Sequence, residues 1–195
     1  MTEEKGPAQF MSMEATVEDR LFVLVSGLPA SGKTTLARRL APALQLPLID
    51  KDDILEALFN ALGGKDLAWR QTLSRASDGV LRTLAQSSCG AVLSSFWRHR
   101  GVISESGTPL EWVLALSPRI VEVYCNCSPS VAARRFMLRR RHTGHCDAER
   151  SQEFLTEQFE KLANRGPSGA GHLIVVDTNE NIDIDLLIHQ VSGAI

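Results

Sequence analysis

Nothing in the 195-residue sequence approaches the roughly 20 consecutive apolar residues of a membrane-spanning helix. The opening stretch MTEEKGPAQFMSMEATVEDR has neither a basic n-region nor an apolar h-region. No secretory signal is therefore expected, and residues 1–20 read as a polar, loose leader. The four cysteines, Cys89, Cys125, Cys127 and Cys146, show no CxxC spacing, which favours reduced thiols in a cytoplasmic protein over bridges. Cys125 and Cys127 share one face of an expected strand, and without a second ligand pair they suit core packing better than a metal. Neither sign of charge dominates. The net charge of −2 supplies no global field toward DNA or a membrane surface. Internal repeats, low-complexity tracts and linkers are absent too, so the length implies one domain over 1–195.

What is present alternates. Five β-rich runs, 21–26 (LFVLVS), 47–50 (PLID), 91–95 (AVLSS), 119–125 (RIVEVYC) and 173–177 (LIVVD), are separated by helical patterns. Mostly apolar strands alternating with helices imply an α/β fold, a five-stranded parallel sheet flanked by helices. Helices are expected over 33–44, 52–62 and 66–87, the last with Leu73, Val80, Leu81 and Leu84 as its apolar stripe. Thr108-Pro109-Leu110-Glu111 combines a capping box with proline at the first helical position, which predicts a short helix toward Leu116. Ser128-Pro129 opens another helix, and Asp183 caps a final one carrying Ile184, Leu187, Ile188 and Val191.

The first strand runs straight into Gly27-Leu28-Pro29-Ala30-Ser31-Gly32-Lys33-Thr34-Thr35, which satisfies GxxxxGK[ST]. Small residues let backbone N–H groups curl around a polyphosphate, and the helix start behind them adds its positive dipole end. Lys33 reaches the β- and γ-phosphates, and the Thr34 hydroxyl can ligate Mg²⁺. A plain strand–turn–helix connection would not need this spacing. A nucleoside triphosphate is the expected ligand.

In open α/β sheets ligands sit beyond the carboxyl ends of the strands, so the residues after each strand come next. Asp50-Lys51-Asp52-Asp53 follows the second strand. One aspartate suffices as a helix cap; a further carboxylate facing the phosphate loop suits metal positioning or acceptance of a hydroxyl proton. After the third strand, Ser94-Ser95-Phe96-Trp97-Arg98-His99-Arg100 would set a stacking surface, Trp97, and a cation, Arg98, at the cleft mouth. The alternative is a surface loop with one buried tryptophan. After the fourth strand, RRFMLRRRHTGH (134–145) carries five arginines, with Arg135 and Arg139 one helical turn apart and Thr143-Gly144 breaking the helix. A lid over 134–150 that closes on a nucleotide suits phosphoryl transfer. A solvated face or a nucleic-acid patch are the other readings, the latter weakened by having only Phe136 as an interleaved aromatic.

GLPASGKTTLARRL, LPLIDKDDILEALF, AVLSSFWRHR, CSPSVAARRFMLRRRH and the closing VVDT, in this order, resemble the small P-loop phosphotransferases. That group, with an AAA-type ATP-binding domain, takes in shikimate and gluconate kinases, chloramphenicol phosphotransferase and compact zeta-toxin-like kinases. The resemblance spans roughly residues 21–190. It implies that Gly27 through Thr35 hold the ATP phosphates, that Asp50 lies near magnesium with Thr34, and that Asp52 contacts the acceptor hydroxyl and acts as its base. It further implies that Arg135 and Arg139 begin the lid, that Asp177-Thr178-Asn179 helps hold the adenine, and that the helices over 52–88 form the acceptor side. Ser94 departs from the pattern, since many relatives carry aspartate there.

The expectation is an ATP- and Mg²⁺-dependent kinase acting on a hydroxyl of a small molecule such as an antibiotic, sugar or nucleoside. It would work in the cytoplasm as a monomer or homodimer, with no membrane partner and nucleic acid the less expected substrate. Two rivals are a nucleotide-gated binding protein that hydrolyses ATP slowly and a polynucleotide 5′-hydroxyl kinase, which would need a long basic groove.

Overall fold

A computed structural model describes residues 20–64, 66–102, 106–139, 142 and 151–194. Five strands, β1 (Leu21–Gly27), β2 (Leu48–Asp50), β3 (Gly90–Ser94), β4 (Arg119–Asn126) and β5 (His172–Asp177), form one sheet in the order β2-β3-β1-β4-β5. Every pairing is parallel. Seven helices connect them among the described residues: α1 (Lys33–Ala43), α2 (Lys51–Leu62), α3 (Leu67–Ser87), α4 (Glu111–Leu114), α5 (Pro129–Leu138), α6 (Gln152–Ala163) and α7 (Ile184–Gly193).

The central strand explains the layers. All five residues from Phe22 to Ser26 of β1 are buried, because the pleat sends alternate side chains into two separate cores. Phe22 and Leu24 join Ile49, Leu93, Leu81, Ala85 and Val113 beneath α3 and α4. Val23 and Val25 join Val92, Val123, Leu36, Leu40, Leu187 and Val191 beneath α1 and α7. A third cluster of Leu28, Cys127, Ala132, Ala133, Leu155 and Phe159 seats α5 and α6 over the carboxyl end of the sheet.

The expected strands match within two residues, whereas three helical expectations need correction. The buried stripe of α3 is Leu73, Ser77, Leu81 and Ala85, and Val80 and Leu84 face solvent. Small Ser77 and Ala85 let the helix lie close to the sheet on that row. Thr108 caps nothing. Its hydroxyl donates to Asp78 Oδ1 at 2.7 Å, and α4 is a single turn whose N-cap is Leu110, with Glu111 accepting from the Leu110 amide. The third correction is α6, a helix the patterns above leave out, although Ser151 caps it and Leu155, Phe159 and Leu162 recur at helical spacing.

Two acids lie inside the fold among the described residues, Asp50 at the end of β2 and Glu122 in β4. Glu122, in the middle of β4, is 1% exposed and accepts four hydrogen bonds. They come from Ser26 Oγ at 2.6 Å and from the amides of Ser168, Gly169 and Ala170 at 2.7, 3.0 and 3.0 Å. The carboxylate thus pins the 166–171 turn over β4. That turn in turn holds the segment after β3, through the His99 ring on Gly166 O and the Arg100 amide on Ser168 O. Gly171 has to be glycine: its φ is +66° and a Cβ would meet Ile120 O at 2.1 Å.

Glu122→Gln keeps the shape of this clamp but points an NH₂ at amide donors. It is expected to cost about 3 kcal/mol of unfolding free energy, the scale of leaving buried groups around a former charge unsatisfied. Urea denaturation checks this; a change below about 1 kcal/mol would show that the turn holds without the carboxylate.

Candidate phosphate-binding cleft

The carboxyl ends of the strands open into a cleft of about 1150 Å³, lined by parts of α1, α2, α3, α5 and α6 and by the segments after β1, β3 and β5. Its floor is the loop after β1. Ala30 and Gly32 adopt left-handed backbone at φ 60° and 99°, and Gly32 is the N-cap of α1. Gly27 also needs to be glycine, because at φ 131° a Cβ would lie 2.6 Å from Cys125 O. Pro29, Ala30, Ser31, Gly32, Lys33, Thr34 and Thr35 all line the cleft, as the motif implies. Gly27 does not: it lies beneath the loop with its carbonyl turned to Lys33.

Lys33 donates to Gly27 O at 3.0 Å and to Leu28 O at 2.7 Å. Burial brings its pKa down to about 8; the Arg139 charge pushes the same way, and the carboxylates of Asp52 and Asp50 oppose it. Asp50, 4% exposed at the end of β2, uses both oxygens. Oδ1 accepts from the Asp52 amide at 2.8 Å, which makes Asp50 the N-cap of α2, and Oδ2 accepts from the Thr34 hydroxyl at 2.9 Å. Burial raises its pKa, and the hydrogen bonds from Thr34, the Asp52 amide and Ser94 work against that rise. Asp53 takes no part; it pairs on the surface with Arg38 at 3.0 Å. With the cap assigned to Asp50, Asp52 is left facing the cleft one residue into α2.

Arg135 and Arg139 both line the cleft. The Arg135 guanidinium donates to Thr178 O at 2.9 Å, tying α5 to the segment after β5, and Thr178 itself hydrogen-bonds to Asn126 O. Arg139 stacks 4.5 Å above the Phe136 ring. It is the extended C-cap of α5 and not part of the helix, whose last two residues, Met137 and Leu138, are exposed. Residues 140, 141 and 143–150 of the expected lid, Thr143-Gly144 included, lie outside the described residues.

The expected stacking surface is not at the mouth. Trp97 is 3% exposed in the core beneath α3 and α4, packed on Trp112, with its indole N–H on Val25 O at 3.2 Å. A large ring beside a buried strand gains more from that burial than from display in water. Arg98 does not line the cleft either; it donates to Gly107 O at 3.2 Å and props the loop that does. Cys125 and Cys127 are packed in the core, and burial pushes the Cys125 thiol up to about 12, as suits an inert thiol. Lining groups that the motifs did not single out are Lys51 on α2, Arg70 and Ser74 on α3, Gln158 and Lys161 on α6, and Arg165 just after it. Their signal is positional only, since nothing local marks a surface residue of a helix as facing a cleft.

Among the described residues no group of three or more His, Cys, Asp or Glu side chains is placed to hold a metal ion. The hard oxygens of Thr34 and Asp50 suit a divalent cation that takes its remaining ligands from phosphates and water.

This arrangement defines the class: a nucleotide-binding P-loop fold whose glycine loop lines an open cleft at the carboxyl end of the sheet. The comparisons agree. The family described as AAA domain matches residues 22–165, and the chain belongs to it. No curated protein matches the chain. Among solved structures, a "putative kinase" from Chloroflexus aurantiacus J-10-fl is similar at 28% identity and TM-score 0.73, covering 91% of this chain and 100% of that one. A shikimate kinase from Bacteroides thetaiotaomicron is 19% identical with TM-score 0.57 over 89% and 97% of the two chains. A gluconokinase from Sinorhizobium meliloti 1021 is 16% identical with TM-score 0.53 over 91% and 92%. The fold is that of the small P-loop kinases.

The lowered pKa of Lys33 is expected to make nucleotide binding pH-dependent. The free protein releases this proton at about 8 and the unfolded chain near 10.5, so between those values the unfolded state binds more protons and apo stability rises with pH. A polyphosphate needs the charged form, so its binding takes up a proton in that window. Affinity for a non-hydrolysable ATP analogue is expected to fall above pH 8, toward about tenfold per pH unit. Titration calorimetry in buffers of different ionisation enthalpy measures both effects; constant affinity from pH 7.5 to about 9.5 would show that this charge is not used.

Proposed function

We propose that the protein is an ATP-dependent phosphotransferase that moves the γ-phosphate to a hydroxyl of a small molecule, in the cytoplasm. The observation that carries the reading is that Asp52, relieved of capping by Asp50, faces the same cleft as Lys33 and the phosphate loop. In the transfer the acceptor oxygen bonds to the γ-phosphorus while the bond to the bridging oxygen breaks. ADP leaves with that electron pair, and the hydroxyl proton goes to Asp52. Loop amides and Lys33 hold the phosphates, and Arg135 and Arg139 neutralise charge from the far wall.

Mg²⁺ is the metal such a fold implies, and the donor set fits it: Thr34 and Asp50 would hold it, with Ser94 beside Asp50 in the β2–β3 register. Bound there, it would neutralise charge on the phosphate oxygens. With Ser94 neutral, Asp50 would be the carboxylate that offsets the metal's charge there.

Acceptor-dependent ADP formation across a library of hydroxyl metabolites and antibiotics tests the reading, against acceptor-independent turnover as the sign of a nucleotide switch. Asp52→Asn is expected to lower kcat by about 10²–10⁴ with ATP affinity retained, the range for loss of a general base. An Asp52→Asn enzyme within about threefold of the parent, under ~1 kcal/mol of barrier, removes Asp52 from the chemistry. Asp50→Ala should raise the Mg²⁺ concentration needed for half-maximal turnover, and Ser94→Asp added to it should recover part of the loss.

A further inference from the structure

The acceptor side of the cleft contains a polar chain that capping, the core and the phosphate site leave unexplained. Lys51 Nζ lies 2.6 Å from Asp78 Oδ1, with side chains 11% and 21% exposed. The same oxygen accepts from Thr108 Oγ1 at 2.7 Å, and Thr108 Oγ1 lies 2.6 Å from Ser95 Oγ. Four separate parts of the chain meet here: the first residue of α2, the middle of α3, the residue after β3, and Thr108. The backbone locks Thr108 in place, through its amide on Phe96 O and the Arg98 amide on its carbonyl. Lys51 and Ser95 both line the cleft, and so does Ser74, one turn before Asp78 on α3.

Counting hydrogens fixes the direction of the chain. The single hydroxyl hydrogen of Thr108 goes to Asp78, so the Ser95 hydroxyl donates to Thr108 and keeps only lone pairs for the cleft. Among the described residues Lys51 engages Asp78 alone, which leaves two of its three N–H groups. One end of the chain therefore offers donors and the other an acceptor. A hydroxyl satisfies both, accepting from Lys51 and donating to Ser95. A carboxylate or phosphate has no hydrogen for Ser95, and it gains little from a lysine already neutralised by Asp78 and standing next to Asp52. A purely structural role explains the chain poorly, because packing the same wall with apolar residues is commonly as stable as burying an ion pair.

We propose that Lys51, held by Asp78, and Ser95, held by Thr108, form a subsite that reads a second hydroxyl of the acceptor, making that acceptor a neutral polyol with a hydroxyl neighbouring the one phosphorylated. This rests on the kinase reading above.

The test uses the full chain with MgATP and a panel of alditols, inositols and hexoses, alongside the corresponding sugar acids and simple alcohols. Each active polyol is measured again as the deoxy analogue lacking the neighbouring hydroxyl. The expected result is a loss of at least about 100-fold in acceptor kcat/KM for the deoxy compound, as for a site built to hydrogen-bond a hydroxyl. Lys51→Met should show a similar loss with the parent polyol, no further loss with the deoxy analogue, and an unchanged KM for ATP. Should Lys51→Met fail to fold, the deoxy comparison on the unaltered protein decides alone. Turnover that ignores the missing hydroxyl, or that prefers sugar acids or simple alcohols, overturns this inference and leaves the kinase reading standing. No acceptor-dependent ADP formation with any compound overturns both.

Discussion

The site depends on one carboxylate doing two things. Asp50 ends β2, and its two oxygens face different partners: one caps α2 through the Asp52 amide, the other receives the Thr34 hydroxyl at the start of α1. The end of β2, the start of α2 and the start of α1 are thereby fixed to a single group. Because that group is buried, the hydrogen bonds have to be made; an unsatisfied charge there would cost more than any one of them contributes. The same geometry relieves Asp52 of capping and leaves it facing the cleft. Shifting the register of β2 by one residue would turn Asp50 to the opposite face of the sheet and undo both contacts.

A second buried acid holds the opposite side. Glu122 gathers three consecutive amides and the Ser26 hydroxyl, so the turn after α6, the residue before Gly27 and the segment after β3 are held together. Neither acid belongs to the apolar cores, yet between them they position the cleft walls that those cores only support. Two hydrophobic layers can tolerate small slides, whereas a carboxylate with three or four donors cannot. A cleft that must place reacting groups within ångströms is better anchored by such groups than by packing alone.

The fold was largely legible in the residues. Apolar runs of strand length, separated by helical spacing, give the parallel sheet. GxxxxGK[ST] gives the phosphate loop, because that loop is built from backbone amides of neighbouring residues and needs nothing distant. The helix starts at Ser128-Pro129 and Asp183 were readable for the same reason: proline at the first helical position and the Asp183 cap each act within one turn. Failures arose where a local signal met a distant competitor. Thr108 reads as a capping box until Asp78, 30 residues away, takes its hydroxyl. Trp97 reads as a rim aromatic until α3 and α4 close over it.

By itself, then, the sequence determined the order of the strands, the phosphate loop and the set of acids after β2, all of them consequences of contacts within a few residues. Which acid caps and which faces the cleft, where Trp97 lies, and that Lys51 meets Asp78 and Glu122 meets Ser168 were decided only by the tertiary structure. The physical reason is range. Hydrogen bonds and ion pairs at separations of 46 residues, as between Glu122 and Ser168, leave no periodic trace, because any polar residue brought to that place by the sheet would serve as partner.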